Sequence, residues 1–367
     1  EIEQAFIDSL GARPEAFFDR IEREPVAAAS LGQVHVAYMV DGRKVAVMVL
    51  YPGIRDVVRV DLQVIELMVR VYKWFVPVQN IEAVHSSLVD LLRRETDYVH
   101  EADCMRRMSA NFESDDHILF PEVIETVSTE DVLTMTFMEG IKITRLDDIR
   151  ARGVNLHKLG DRLVKSFYKQ VFVDRFFHAD PHPGNFLVQP VEDSDDAKLV
   201  VLDFGAISEV DETTVFGMVD VLRGFFEQND ELVLRGIEDI GFVAEGGDRE
   251  LLEQTVKTYF QKLLKLESYS PAVLMNSNSK ELEALADPEV ERRELRSLMR
   301  SVHYPDGWFY VERASVMMFW LVGQIAPELN QFQVGFPYVL PLLSQRLKKS
   351  RPSRPPEAGP RASVSGG

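Results

Sequence analysis

Three oxygen-bearing side chains carry the chemistry that this sequence offers most plainly. The run His178-Ala179-Asp180-Pro181-His182-Pro183-Gly184-Asn185 is followed by Leu202-Asp203-Phe204-Gly205. Magnesium is a hard cation that takes oxygen ligands, usually one or two side chains together with phosphates. Asn185 offers an amide oxygen and Asp203 a carboxylate, which makes them the metal candidates. Asp180 stands where a group that orients or deprotonates a nucleophile belongs. Asp, Asn, Gly and Pro also favour turns, and for an isolated Asp-Phe-Gly a plain turn is the better reading. The full combination, in this order, outweighs it. His182 follows Asp180 by two positions, where many protein kinases carry a Lys that neutralises the transferred group. A His does that only when protonated or hydrogen-bonded. His178 reads as a residue that holds the loop together.

A second feature opposes the first. The strand Val45-Ala46-Val47-Met48 has Met where a kinase keeps its phosphate-binding Lys. A hydrogen bond to a charged group contributes roughly 1.5–3 kcal/mol. Its loss weakens ATP binding by one to two orders of magnitude. Met is unbranched and fills the space of a Lys stem without its charge. Lys44 shares the strand face but lies about 13 Å away at strand rise, and Arg43 points to the other face.

Three more segments have the order of a nucleotide site. Ala27-Ala28-Ala29-Ser30 precedes the first β-hairpin, where kinases place a Gly-rich loop over the phosphates. Glycine lets backbone N–H groups approach an anion. Three Ala lack that freedom, but Ser30 and the backbone amides remain donors. Glu95, Asp97 and Glu101 form an acidic helix pattern. Asp97 and Glu101, four apart, share a face, and Glu101 is the candidate for the helix Glu that pairs with a strand Lys. A solvated acidic face explains the same spacing. Met135-Thr136-Phe137-Met138 ends a strand before Glu139-Gly140, the place where kinase backbone meets adenine.

The elements that must position these residues follow from periodicity. Residues 1–23 read as an amphipathic helix, a Gly-Ala-Arg-Pro break and a short helix. Residues 34–40 and 44–50 are strands joined by Asp41-Gly42, a strong hairpin signal. Residues 56–76 have apolar residues at spacings of three and four, and 81–112 continue as helix. Residues 118–127 and 131–137 look like a further strand pair. Residues 198–202 form a buried strand into Asp203, linked by a polar turn to Phe186-Leu187-Val188. Helices are predicted at 212–228, 230–240, 249–266, 281–302 and 311–325. Residues 348–367, rich in Pro, Ser, Gly and Arg, are expected to be disordered.

Strands are thus early and helices late. This predicts an α+β, protein-kinase-like two-lobed fold. Residues 1–24 form an N-terminal helical segment. The small β-containing N-lobe spans 25–139, with a helical insertion at about 56–112. The large, mainly helical C-lobe spans 140–347. The chain has 367 residues, 46% of them apolar, enough for such a domain. Its net charge of -18 repels phosphate backbones and argues against nucleic acid as a partner. The single Cys104 fits a reducing compartment. The longest mostly apolar run, 314–322, is too short for a bilayer. These features predict a cytoplasmic protein, with room for peripheral membrane contact. The first residue is not Met and the opening is mid-pattern, which reads as a truncated start.

At these residues the chain resembles the UbiB/ADCK family of atypical kinase-like proteins. The Ala27–Ser30 loop with Gly32-Gln33-Val34-His35 carries the likeness, as do Tyr51-Pro52-Gly53, Glu95 and Asp97 with Glu101, His178–Asn185, and Asp203-Phe204-Gly205. The resemblance implies a kinase-like fold binding adenine nucleotide (ATP) with Mg2+. It also implies ATPase or small-molecule kinase activity tied to isoprenoid quinone or lipid metabolism. Three departures stand out: Met48 replaces the family's strand Lys, its Lys-x-Gly-Gln motif is absent, and so are the C-terminal membrane spans of some members. No Ala-Pro-Glu-like end to an activation segment follows Gly205, which argues against peptide substrates. Three readings stay open: an unorthodox ATPase or small-molecule kinase, a nucleotide-sensing pseudokinase, and a binder of lipid or a quinone precursor.

Overall fold

The computed structural model describes residues 2–28, 31–75, 89, 96–243, 305 and 307–349. Glu95, Ala29 and Ser30, the predicted helices at 249–266 and 281–302, and residues 350–367 lie outside them. The chain divides into two compact units. The first takes in residues 1–210, 269–277 and 306–331, and the second 211–268, 278–305 and 332–367.

The first unit begins with helix α1 (Ile2–Leu10) and a 3-10 turn at Pro14–Ala16. The short helix expected next is instead strand β1 (Phe18–Ile21), whose Phe18 is buried. With β2 (Ala27–Ala28), β3 (Gly32–Met39), β4 (Lys44–Leu50) and β6 (Val132–Thr136) it forms an antiparallel sheet of order β1-β3-β4-β6, with β2 paired to β3. The predicted hairpin is present, with Gly42 at φ 86° in its turn. Strand alternation sorts β4 cleanly. Val45, Val47 and Val49 are fully buried in a core with Phe6 of α1, Ala37 and Val132. Lys44, Ala46 and Met48 take the other face and are only half-buried. Helix α2 (Ile54–Phe75) follows.

Helix α3 (Tyr98–Asn111) forms the end of the 81–112 pattern, of which residues 81–88 and 90–95 lie outside the described ones, and a break at Thr96-Asp97 precedes it. Asp97 is its N-cap, accepting from the His100 N–H at 2.9 Å. It therefore precedes the helix rather than sharing a face with Glu101. The cause is local: a short carboxylate satisfies an orphan amide of the first turn better than it serves a helix interior. The second predicted strand pair is also revised. Strand β5 (Ile118–Leu119) pairs in parallel with β10 (Ala197–Val201) in another sheet, and β6 joins β4. One isolated bridge, Val123 to Met135, remains between the two segments.

The second sheet has the order β5-β10-β9-β7, with β7 at Ile141–Lys142, β9 at Phe186–Pro190 and β10 at Ala197–Val201. A two-stranded sheet pairs β8 (Phe176–His178) with β11 (Ile207–Glu209). Helices α4 (Leu146–Ala151) and α5 (Leu156–Tyr168) lead to β8 through a π-helical turn at Lys169–Asp174. Later in the chain, helix α8 (Trp308–Ile325) returns to this unit. Its buried residues Val311, Ala314, Met318, Leu321, Val322 and Ile325 follow helical spacing. It packs on α5, where a Cβ on Gly160 would meet the Ala326 Cβ at 2.8 Å. Only glycine permits that approach.

The second unit contains α6 (Glu212–Glu227) and α7 (Asp230–Ile240), both as predicted, and most of α9 (Gln331–Lys349). The pattern reading passed over α9, whose interior prolines at 337 and 341 read as breaks.

Candidate active site

Backbone pairing brings the two chemical loops together. On one side β8 pairs with β11, His178 opposite Ile207, and the Ala179 N–H donates to the Ala206 carbonyl at 2.7 Å. On the other, β9 pairs with β10, Phe186 opposite Val201, and the Leu202 N–H donates to the Asn185 carbonyl at 3.0 Å. Asp180 and Asn185 sit in one loop of this frame and Asp203 in the other. Asn185 is a spacer as well as a candidate ligand. Its side-chain N–H donates to the Asp180 carbonyl at 3.2 Å, which leaves its amide oxygen as the candidate ligand atom. Asp203 Oδ1 accepts from the Gly205 N–H at 3.0 Å, fixing the Asp-Phe-Gly turn.

Asp180 has one carboxylate oxygen turned inward and one turned out. Oδ1 is buried with no hydrogen-bond partner among the described residues. Oδ2 pairs with Arg313 Nη2 of α8 at 2.7 Å. Arg313 was missed in the sequence. It lies far along the chain, near the start of the helix predicted at 311–325 and just before the mostly apolar run 314–322. A buried, unpartnered carboxylate oxygen, an amide oxygen and a second carboxylate suit a hard cation and the groups it carries. The donor set therefore fits magnesium with a nucleotide phosphate. Among the described residues no cluster of three or more His, Cys, Asp or Glu forms a dedicated metal cage.

His178 is buried behind this centre. Its backbone N–H donates to Gln170 Oε1 of the π-helical turn at 3.0 Å, and its Nδ1 accepts from the Asp180 N–H at 3.4 Å. Burial pushes its pKa below the ordinary imidazole value, against the pull of the Asp203 and Asp180 charges and with the help of Arg313. Neutral His178 thus props the loop, as the sequence suggested. His182 caps the turn at Pro183–Asn185, its Nδ1 accepting from the Gly184 N–H at 3.1 Å. A ring nitrogen that accepts is unprotonated, so in this arrangement His182 brings no positive charge.

Glu101 is buried on α3, and its Oε1 accepts from the Phe204 N–H at 3.4 Å. With Met48 in place of a Lys, this carboxylate is directed to the Asp-Phe-Gly turn. Met48 lies opposite Val34 on β3 and Leu133 on β6. Directly opposed residues share a face, so Met48, Val34, Ala46 and Met135 line one apolar surface. Val34 and Ala46 join the candidate set only through this register, which motifs do not disclose. Lys44 is committed elsewhere. Its Nζ pairs with Glu139 Oε1 at 3.2 Å and lies 3.9 Å from the Phe137 ring centre.

The segment from Met135 to Glu139 links the two sheets. The Phe137 N–H donates to the Lys44 carbonyl at 3.1 Å, and Gln189 Nε2 donates to the Glu139 carbonyl at 2.6 Å. Met138 Sδ accepts from the Thr136 hydroxyl at 3.9 Å. Ala27 and Ala28 pair with Val34 and Gln33, which places the Ala loop at the end of the first sheet.

Comparison with known proteins bears on the family and the fold. The family description "ABC1 atypical kinase-like domain" matches residues 1–236. A chloroplastic Arabidopsis thaliana protein named Activity of BC1 complex kinase 8 is 27% identical over 92% of this chain and 47% of its own length. A probable protein kinase UbiB from Vibrio atlanticus is 33% identical over 64% of this chain and 44% of its own. The chain spans about half the length of the curated relatives it matches. A solved structure of Rv3197 with erythromycin, from Mycobacterium tuberculosis, superposes with a TM-score of 0.60 at 24% identity, covering 90% of this chain and 82% of that one. No helix among the described residues is long and apolar enough to cross a membrane. The α+β kinase-like fold and the UbiB/ADCK resemblance expected from the sequence both hold: the chain belongs to the ABC1 family of atypical kinase-like proteins.

Proposed function

We propose that this protein binds ATP with Mg2+ and catalyses slow phosphoryl transfer to water or a small molecule. The observation that carries this reading is the double backbone frame that holds Asp180, Asn185 and Asp203 around a buried carboxylate oxygen. Asn185 and Asp203 hold the metal, and the apolar surface of Val34, Ala46, Met48 and Met135 takes the base. When bound, the ion neutralises charge on the triphosphate. Asp180 orients the acceptor O–H, and the acceptor's proton passes to solvent or to that carboxylate as ADP departs with the bonding pair. Relatives named UbiB and BC1 complex kinases, with the family resemblance, support an acceptor on the isoprenoid-quinone or lipid side of metabolism.

The test measures ADP release and nucleotide affinity, with and without magnesium, for the parent, Asp203→Ala and Met48→Lys. Magnesium-dependent turnover is expected in the parent and is lost in Asp203→Ala. Met48→Lys is expected to tighten ATP binding by about ten- to a hundredfold, from one restored charged hydrogen bond. Equal background rates in all three proteins sink the catalytic reading. A second reading, a nucleotide-sensing pseudokinase, is favoured by Met48 and by the Glu101 bond to the Phe204 amide. It predicts thermal stabilisation by nucleotide without turnover.

A further inference from the structure

We infer that Arg313 of α8 is the cation that contacts the terminal phosphoryl group, taking the part that neither Met48 nor His182 can play. This rests on the nucleotide reading above and extends it to a residue beyond the 1–236 stretch that the family description covers.

The site needs a positive charge beside Asp180. Phosphoryl transfer is catalysed chiefly by positioning and by stabilising charge on the transferred group. Met48 has no charge, His182 accepts at Nδ1, and Lys44 is held at Glu139. Arg313 reaches the centre directly, with Nη2 2.7 Å from Asp180 Oδ2.

The residue is placed rather than merely present. The buried stripe from Val311 to Ile325 and the Gly160–Ala326 contact fix the helix that bears it. A guanidinium offers five donors in a planar fork that matches phosphate oxygens. Asp180 takes one terminal nitrogen, and the Arg313 side chain is 30% exposed, so a ligand can reach the guanidinium. Asp180 and Arg313 then act as a pair. The carboxylate orients the acceptor O–H and holds the guanidinium, which meets the negative charge that builds on the phosphoryl oxygens.

The experiment compares affinities for ADP and for a non-hydrolysable ATP analogue, both with magnesium, in the parent, Arg313→Gln and Arg313→Lys. Contact with the terminal phosphoryl predicts that Arg313→Gln weakens the analogue about tenfold and ADP less than twofold, as one charged hydrogen bond is lost. Arg313→Lys is expected to recover part of the difference. If Arg313→Gln proves unstable, the comparison rests on Arg313→Lys alone, which keeps a cation beside Asp180 but loses the planar fork, so the analogue is expected to weaken more than ADP. Equal loss for both nucleotides, or none, overturns the inference and leaves Arg313 as the structural partner of Asp180. Absence of any nucleotide binding in the parent removes the nucleotide reading itself, and this inference with it.

Discussion

Each unit of the chain builds an Asp–Arg centre in which one carboxylate oxygen is buried without a partner among the described residues, and the two centres differ in what surrounds them. In the second unit Asp220 is fully buried between two arginines. Arg235 Nη2 of α7 lies 2.6 Å from its Oδ2 and Arg346 Nη2 of α9 lies 3.0 Å away. Arg346 also pairs with Asp239 and covers the Phe216 ring. Three helices thereby share one carboxylate. The first two, α6 and α7, approach closely because Gly217 and Gly236 lack side chains, each of which would otherwise meet the other's carbonyl at about 2.6 Å or less. In the first unit Asp180 has one arginine, remains 28% exposed, and sits in a loop next to an amide and a second carboxylate. A burial-neutralising cage of cations makes a fastening. A single cation, an opening and neighbouring oxygen ligands make a site.

The largest test of that difference is Asp220→Ala. Removing one member of a buried ion pair leaves the others uncompensated, which typically costs 3–5 kcal/mol. Arg235 keeps contact with water, so a loss of about 3 kcal/mol is expected. It should appear as a lower urea midpoint and faster hydrogen exchange across 212–240, with nucleotide binding by the parent retained. A shift below about 1 kcal/mol would mean that the Asp220 centre is not a fastening.

Asp180→Asn should behave in the opposite way. It weakens a single, partly exposed ion pair with Arg313 and keeps an oxygen that the guanidinium can reach, so stability is expected to change by less than about 1 kcal/mol. Turnover should fall about a hundredfold, a typical contribution for a group that positions or takes a proton. A stability loss as large as that at Asp220 would make the two centres alike and weaken the functional assignment of Asp180.

The two centres were not equally legible in the sequence. Asp180, Asn185 and Asp203 stood out because their residue types recur at a fixed order within one short stretch. The frame around them was also readable in part, since β3, β4, β9 and β10 have clear strand patterns and Asp41-Gly42 marks a hairpin. Arg313, Arg346 and Asp220 were not, because their partnerships join residues far apart in the chain and leave no local pattern. Other errors had local causes. Phe18–Ile21 is too short for alternation to separate strand from helix. Asp97 fits a helical face and an N-cap equally well by spacing, and only the Thr96–Asp97 break decides. Residues 118–127 and 131–137 look alike as strands, yet sheet membership depends on β10, which arrives much later.

The smallest expected effect concerns pH and again separates the two regions. His178 faces Asp180, Asp203 and Arg313, and burial holds its folded pKa below the ordinary value. The native state therefore refuses a proton that the unfolded chain accepts. The stability that depends on neutral His178 is complete above about pH 6.5 and is lost as pH falls through that unfolded value toward the lower folded one. The slope cannot exceed the one-proton limit of about 1.4 kcal/mol per pH unit. Asp196 does not blur this window. Arg162 hydrogen bonds hold it down at about 2, so its contribution is present above the ordinary carboxylate value and fades only as pH falls from there toward 2. Urea unfolding at pH 7.5 and pH 5.5 should thus show a larger loss for the parent than for His178→Gln, followed through near-UV signals of the first unit. Hydrogen exchange across 212–240 should show no such difference between the two proteins, since His178 belongs to the other unit. An equal pH response in parent and variant would mean that His178 is not held neutral, and that Asp180 and Asp203 keep their loop geometry without it.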